Sequence, residues 1–289
     1  MQTVEMKHSQ TGFAFVTELA NELSRGKIEL PSFPEIAMRV RKVLSDENVT
    51  AADVVRVVGV EPMLAARIVA MANSVALGRS DKSISDLRTA VTRVGFNLVR
   101  SASIAFAMAQ LRAAESLKAC RKPLEEHWQR SATVASFAYV VARRHSAVNA
   151  DTALLAGLLH GIGKLYILAR VARHPKLFAD TASYQAIESQ WHVSIAQALL
   201  QNWGISEDIG AAIEHFEDTQ RENDGAVDLT DILSVASIVA GMHESPDSLE
   251  ITLQLHRGAQ RMHLDRKALN ALVAESNDEV ELIRQTLGM

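Results

Sequence analysis

Apolar residues recur along this chain at spacings of three and four and almost never alternate, which predicts helices throughout and no sheet. Phe13, Val16, Leu19 and Leu23 mark a first amphipathic helix that Gly26 ends. Leu30-Pro31-Ser32-Phe33-Pro34-Glu35 reads as a turn into a capped start, with Ser32 accepting from an orphan backbone N–H and Glu35 reaching back. Ile36, Val40, Val43 and Leu44 continue that stripe, and Thr50 with Asp53 repeats the cap. Valines 54, 55, 57 and 58 have the composition of a strand, but the cap before them and Glu61-Pro62 after them favour a short helix. Pro62 suits the first turn of the next, through Leu64, Ile68 and Met71. The stretch 73–83 reads as a loop, and Gly95 closes the stripe Leu87, Val91, Val94.

The pattern then predicts helices near 97–112 and 123–144. The second is rich in Ala and Ser (Ser131, Ala132, Ala135, Ser136, Ala138, Ala142), so neighbours can approach it closely and it is expected to be central. A helix over about 150–160 stops where Gly161 and Gly163 follow, and others run near 163–172, 183–190, 192–202, 206–216 and 230–243. Gly204 and the polar run 218–228 are the clearest breaks. Ser245-Pro246 signals a new helix start. Beyond it, Leu249, Leu253, Leu255, Leu264, Leu269, Leu272, Val273, Val280, Leu282, Ile283 and Leu287 supply apolar faces. Packing back on the domain is the default for these faces, and a homodimer or partner interface is the functional alternative.

With 289 residues, 48% of them hydrophobic, the chain can bury a large core. A formal net charge of −4, from 30 basic and 34 acidic residues, gives no polyanion-binding excess. The pairs Arg41-Lys42, Arg121-Lys122 and Arg143-Arg144 are scattered, so a nucleic-acid partner is not expected, and the helix pair over 51–73 has too few basic residues to read DNA. Cys120, the single cysteine, excludes an intramolecular disulfide and fits a reducing cytoplasm. Arg121 and Lys122 beside it would favour its thiolate, but no base is arranged near it. Met1 to Gln10 lacks the apolar core of a signal peptide, and no apolar run approaches the ~20 residues of a membrane span.

Leu158-Leu159-His160-Gly161-Ile162-Gly163-Lys164 resembles the signature of HD-type metal phosphohydrolases, with glycine where that signature carries its aspartate. Other blocks resemble HDOD domains, helical relatives of those enzymes. Leu30 to Glu35 is similar to their LPxLPE opening. Ala72-Asn73-Ser74, Gly78, Ala90-Val91 and Val94-Gly95 are similar to their central motif. His127-Trp128, Leu154 to His160 and Trp203-Gly204-Ile205 follow in the same order. The resemblance spans roughly 28–243. It implies an all-α, HD-like fold with a helical half (28–115), an HD-like half (120–243), an N-terminal helix (1–27) packed on the domain, and a helical extension (245–289). It also implies a bacterial regulatory module of signal transduction that works through contacts with other signalling proteins. No receiver, GGDEF or EAL segment is legible, so a separate partner is expected.

An active HD site resembles a histidine on one helix, a His-Asp pair on the next and a later aspartate, which together hold a metal that activates water. Here the first position matches Arg130, the pair is His160-Gly161, and the last falls at Ser237. A guanidinium has no lone pair to give, glycine has no side chain, and a hydroxyl is a poor substitute for a carboxylate. His192 and His215 match auxiliary histidines, so His160, His192 and His215 are the remaining metal candidates. His127, on the face of Arg130, is a conceivable shifted ligand, and Glu214 and Glu217 flank His215. Alternatively these histidines are hydrogen-bonded core residues.

Arg130 and Lys164, with the histidines, would make a cationic cavity for a small phosphorylated or nucleotide ligand. The competing expectation pairs Arg130 with Glu126 or Asp151. Neither a cofactor nor catalysis is expected on this reading. The rival is an HD phosphohydrolase with a rearranged metal site.

Overall fold

The computed structural model describes residues 10–26, 28, 34–74, 83–223, 225–242 and 245–264, and then 268, 272, 280, 281 and 283–285. Among them every regular element is a helix. α1 (Gln10–Ser24) buries Phe15 and Leu19 fully, while Phe13 faces solvent. The apolar face is therefore turned from the one the sequence predicts, because Phe15 rather than Phe13 stacks edge-on with His174, ring centroids 5.3 Å apart.

α2 (Glu35–Leu44), α3 (Ala51–Val58) and α4 (Pro62–Ala72) pack on α5 (Leu87–Ala113). The valine run is helical, started by a complete Thr50–Asp53 capping box. The sequence places a cap at Ser32 with Glu35. Pro34 is the N-cap of α2 and lends no side-chain bond, and Glu35 accepts instead from Arg39 one turn on. Ser32 itself lies outside the described residues. Asn73 holds the far end of the following loop: its amide donates to the Ile84 carbonyl and accepts from the Ile84 N–H, both at 2.8 Å. Gly95 (φ 78°) breaks α5 into two arms, the left-handed backbone that glycine tolerates best.

After a 3₁₀ turn (Glu115–Cys120), α6 (Arg121–His145) forms the centre of the second half. α7 (Ala150–Leu159) and α12 (Leu229–Met242) lie along it. The close approach is specific: a Cβ at Gly157 would stand 2.4 Å from the Ala135 Cα. α8 (Ile162–Val171) follows α7 across a two-residue turn and packs on α10 (Thr181–Asn202), with α9 (Pro175–Ala179) between them in sequence. There a Cβ at Gly163 would lie 1.9 Å from the His192 carbonyl oxygen. α10 is one helix where the sequence reading had two, since no glycine or proline interrupts it. α11 (Glu207–His215) closes against α12.

By length and composition alone Leu87–Leu111 and Ala150–Val171 are long and apolar enough to cross a membrane, although Gly95 interrupts the first and the turn at His160-Gly161 the second. Both are core helices here, the second 89% buried.

α13 (Pro246–Gln254) and α14 (Arg257–Arg261) pack on α12. Leu249, Leu253, Leu264, Leu272, Val280 and Ile283 are buried in the common core, whereas Leu255 is exposed. Leu269, Val273, Leu282 and Leu287 lie outside the described residues. Two polar joints secure this extension. Asp231, buried on α12, accepts from Arg261 and Arg221. The Ser234 hydroxyl and His256 Nε2 are 2.7 Å apart, and His256 Nδ1 accepts from the Ala259 N–H. A lone pair on Nδ1 puts the proton on Nε2, so this buried pair is a structural contact and not a serine–base dyad.

Candidate functional site: a cleft around His160

α6 presents His127, Arg130 and Ser131 on one face, as i, i+3 and i+4 spacing requires. Across from them, the α7–α8 turn contributes His160 and Gly161, and α8 contributes Lys164. Phe216 and Glu217 after α11, and Ser237 of α12, complete a cleft of about 60 Å³. That is room for a few waters or one compact ion.

His160 is 8% exposed. Its Nδ1 lies 2.7 Å from the Gly157 carbonyl, which can only accept, so the proton is on Nδ1 and Nε2 carries a lone pair. Phe216 meets the ring edge-on, centroids 5.6 Å apart. Burial, then the charges of Arg130 and Lys164, push the His160 pKa down to about 4 against the pull of the Gly157 bond. His127 is pushed to about 3 by burial first, then by His160, Lys164 and Arg130. Both rings are neutral at pH 7.

The glycine of the His-Gly pair is tied to its neighbour across the cleft. A Cβ built on Gly161 would lie 2.5 Å from His127 Cε1 and 2.8 Å from Nε2. The His127 ring occupies the volume that any side chain at 161 needs, and it hydrogen-bonds the Gly161 backbone.

Opposite, Arg130 Nη2 donates to Ser237 Oγ at 3.3 Å. The internal carboxylate expected for Arg130 is not used: Glu126 sits 3.8 Å from Lys122, and among the described residues Arg130 makes no ion pair. Lys164 does, donating to Glu217 at 2.9 Å. His192 Nε2 stands 3.7 Å from the other Glu217 oxygen, and its Nδ1 donates to the Glu188 carbonyl. His192 and Lys164 together hold the Glu217 carboxyl down to about 2.

Of the candidates read from sequence, Arg130, His160, Gly161, Lys164 and Ser237 share the cleft. His192 stands behind Glu217, and His215, exposed at the end of α11, is not among the residues that line the cleft. Ser131 and Phe216 were not foreseen, and Glu217 only as a neighbour of His215. Their one sequence signal is spacing: Ser131 follows Arg130, and Phe216 and Glu217 follow His215.

The residues do not fit a metal of the HD type. Among the described residues no three His, Cys, Asp or Glu side chains converge to hold one. The same cleft contains a guanidinium and an ammonium, which repel a cation. Cys120 is buried, and burial raises its thiol pKa, opposite to the shift its basic neighbours would give.

An all-helical bundle with a histidine-lined cleft at a helix–turn–helix junction is the architecture of HD-like proteins. The HDOD domain model matches residues 30–219, more than half of the chain, and the chain belongs to that family. Solved structures share the fold. A Shewanella amazonensis SB2B protein, named provisionally as a metal-dependent phosphohydrolase, is 24% identical with a TM-score of 0.74, covering 96% of this chain and 100% of that one. An HDOD domain protein of unknown function from Geobacter sulfurreducens is 23% identical with a TM-score of 0.61, covering 93% and 96%. A Marinobacter aquaeolei VT8 protein, named provisionally as a signal transduction protein, is 21% identical with a TM-score of 0.59, covering 99% and 68%. At these identities the likeness is one of fold. No curated protein matches the chain.

Proposed function

We propose that this HDOD protein is a non-catalytic regulator that acts in signal transduction through contacts with other signalling proteins. Its HD-like cleft holds a cationic and polar site in place of a metal centre. The observation that carries this reading is the fit of the His127 ring into the space above Gly161. A carboxylate at 161 is absent and its volume is filled, and Arg130 and Ser237 join where the resemblance places two further ligands. Hydrolysis through a metal-bound hydroxide needs an open coordination position and donors to hold the ion. Among the described residues no three ligating side chains converge in the cleft, and its guanidinium and ammonium repel a cation. The name of the Marinobacter fold neighbour supports a signalling role.

The name of the Shewanella neighbour keeps the rival, a metal-dependent phosphohydrolase, in view. Elemental analysis of protein purified without added metal decides between them, alongside assays with a phosphomonoester and a cyclic dinucleotide. We expect substoichiometric Fe, Mn, Zn and Ni and no turnover. Stoichiometric metal that disappears in H160A, or turnover of either substrate, overturns the proposal.

A further inference from the structure

The cleft has an uneven set of hydrogen-bonding groups. Arg130 brings up to five N–H donors and spends one on Ser237. Lys164 brings three and spends one on Glu217. The Ser131 hydroxyl, on a residue only 3% exposed, lines the cleft and makes no hydrogen bond among the described residues. Opposing these donors are two acceptors without protons: Nε2 of His160, whose proton is on Nδ1, and the Glu217 carboxylate. With both histidines neutral, Arg130 and Lys164 against Glu217 leave one net positive charge.

A fitting ligand must therefore be compact, must be an anion, must accept several hydrogen bonds, and must donate one. A fully deprotonated oxyanion meets repulsion from Glu217 and from the His160 lone pair. One that keeps a proton at neutral pH turns either contact into a bond. Inorganic phosphate, with a second pKa of about 7, keeps one on roughly half of its molecules, and a phosphomonoester, with a second pKa of about 6, on a minority that such a site selects, whereas sulfate keeps none.

We infer that the cleft binds a tetrahedral oxyanion that retains a proton, as inorganic phosphate or as the terminal phosphate of a small monoester, in preference to sulfate. Arg130 and Lys164 supply the charge, Ser131 donates, and His160 Nε2 or Glu217 accepts the ligand's own proton. This deepens the non-catalytic reading and rests on it, since a metal in the cleft would dictate other contacts.

The test is calorimetric and thermal-shift titration of chelator-treated, full-length protein with inorganic phosphate, sodium sulfate and glycerol phosphate at matched ionic strength. Saturable binding of phosphate, of glycerol phosphate or of both is expected, with sulfate weaker by about ten-fold or more. The arm that binds tighter tells free phosphate from a monoester. R130Q should weaken the phosphate ligand about ten-fold and S131A a few-fold, while R39Q, at an exposed intrahelical pair, leaves it unchanged. Equal affinity for phosphate and sulfate, no saturable binding, or an unaltered R130Q overturns the inference and leaves the non-catalytic reading standing. Phosphate binding that appears only on adding Mn or Zn, and is lost in H160A, overturns that reading as well.

Discussion

At the scale of single residues, Gly161 and His127 form a matched pair. Replacing Gly161 with aspartate restores the letter that an HD metal site carries, but its Cβ falls inside contact distance of the His127 ring. The ring must swing out of a packed environment, so G161D is expected to lose about 1–3 kcal/mol by overpacking. The double variant G161D/H127A should regain most of that loss. Urea denaturation of the three proteins checks it, with metal content measured in parallel. A G161D protein as stable as its parent would sink the idea that the two positions share one volume. The residue types at Arg130, Gly161 and Ser237 were legible because a motif reports residues in order. What fills the gap was not. The i, i+3 spacing puts His127 on the face of Arg130, but it lies 34 positions from Gly161 and nothing in the sequence tells that its ring fills the space beside that glycine. The Lys164–Glu217 pair spans 53 positions and depends on how α11 ends.

At the scale of elements, most of the fold could be read from the chain, because helix signals are local. Thr50 and Asp53 cap α3, Pro62 opens α4 and Gly95 interrupts α5, each through groups within four residues of one another. The misreadings came where a longer-range contact decides. Phe13 and Phe15 fit an amphipathic stripe about equally well, and packing against α9, α10 and the His174 ring decides which is buried. Proximity between helices was foreseen in kind from the small residues of α6, but its pairing was not. Gly163 proves the tighter contact, against the α10 backbone, where no side-chain rearrangement can relieve a clash. G163A is therefore expected to cost about 3 kcal/mol or more, at or beyond the top of the range for ordinary overpacking, and G157A, against α6, about 2 kcal/mol, within it. Guanidinium denaturation midpoints with unchanged slopes would show it. A G163A protein within about 0.5 kcal/mol of the parent would mean that α8 and α10 slide apart freely.

At the scale of the molecule, both ends of the chain are fastened to the second half by partly or fully buried polar contacts. Glu22 of α1 accepts from Tyr166 and Arg170 of α8, and α12 holds the C-terminal extension through Asp231 and through Ser234 with His256. That distribution gives folding a defined response to acid. His127 and His160 in the cleft, and His256 at the joint, all have folded pKa values below the ordinary 6.5, with burial the leading cause in each. Unfolded, the same three bind protons near pH 6.5; folded, the cleft pair resists to about 4 and about 3. Between those limits the unfolded chain holds more protons, so stability is fully present above about pH 6.5 and falls as pH drops, by up to about 1.4 kcal/mol per pH unit for each histidine. Glu217, held down to about 2, adds its own loss only as pH falls below its ordinary value near 4.5, so its window opens lower than that of the histidines and overlaps only their acid end. At His256 the added proton must go on Nδ1, which faces the Ala259 N–H, so acid sets donor against donor at the joint. Urea unfolding at pH 7.5, 6 and 5 should show a steady decline. H256Q should lessen the slope and H160Q should lessen it independently, since the residues sit at separate sites. Stability that stays level or rises from pH 7.5 to 5 would show that these rings are not held neutral by the fold.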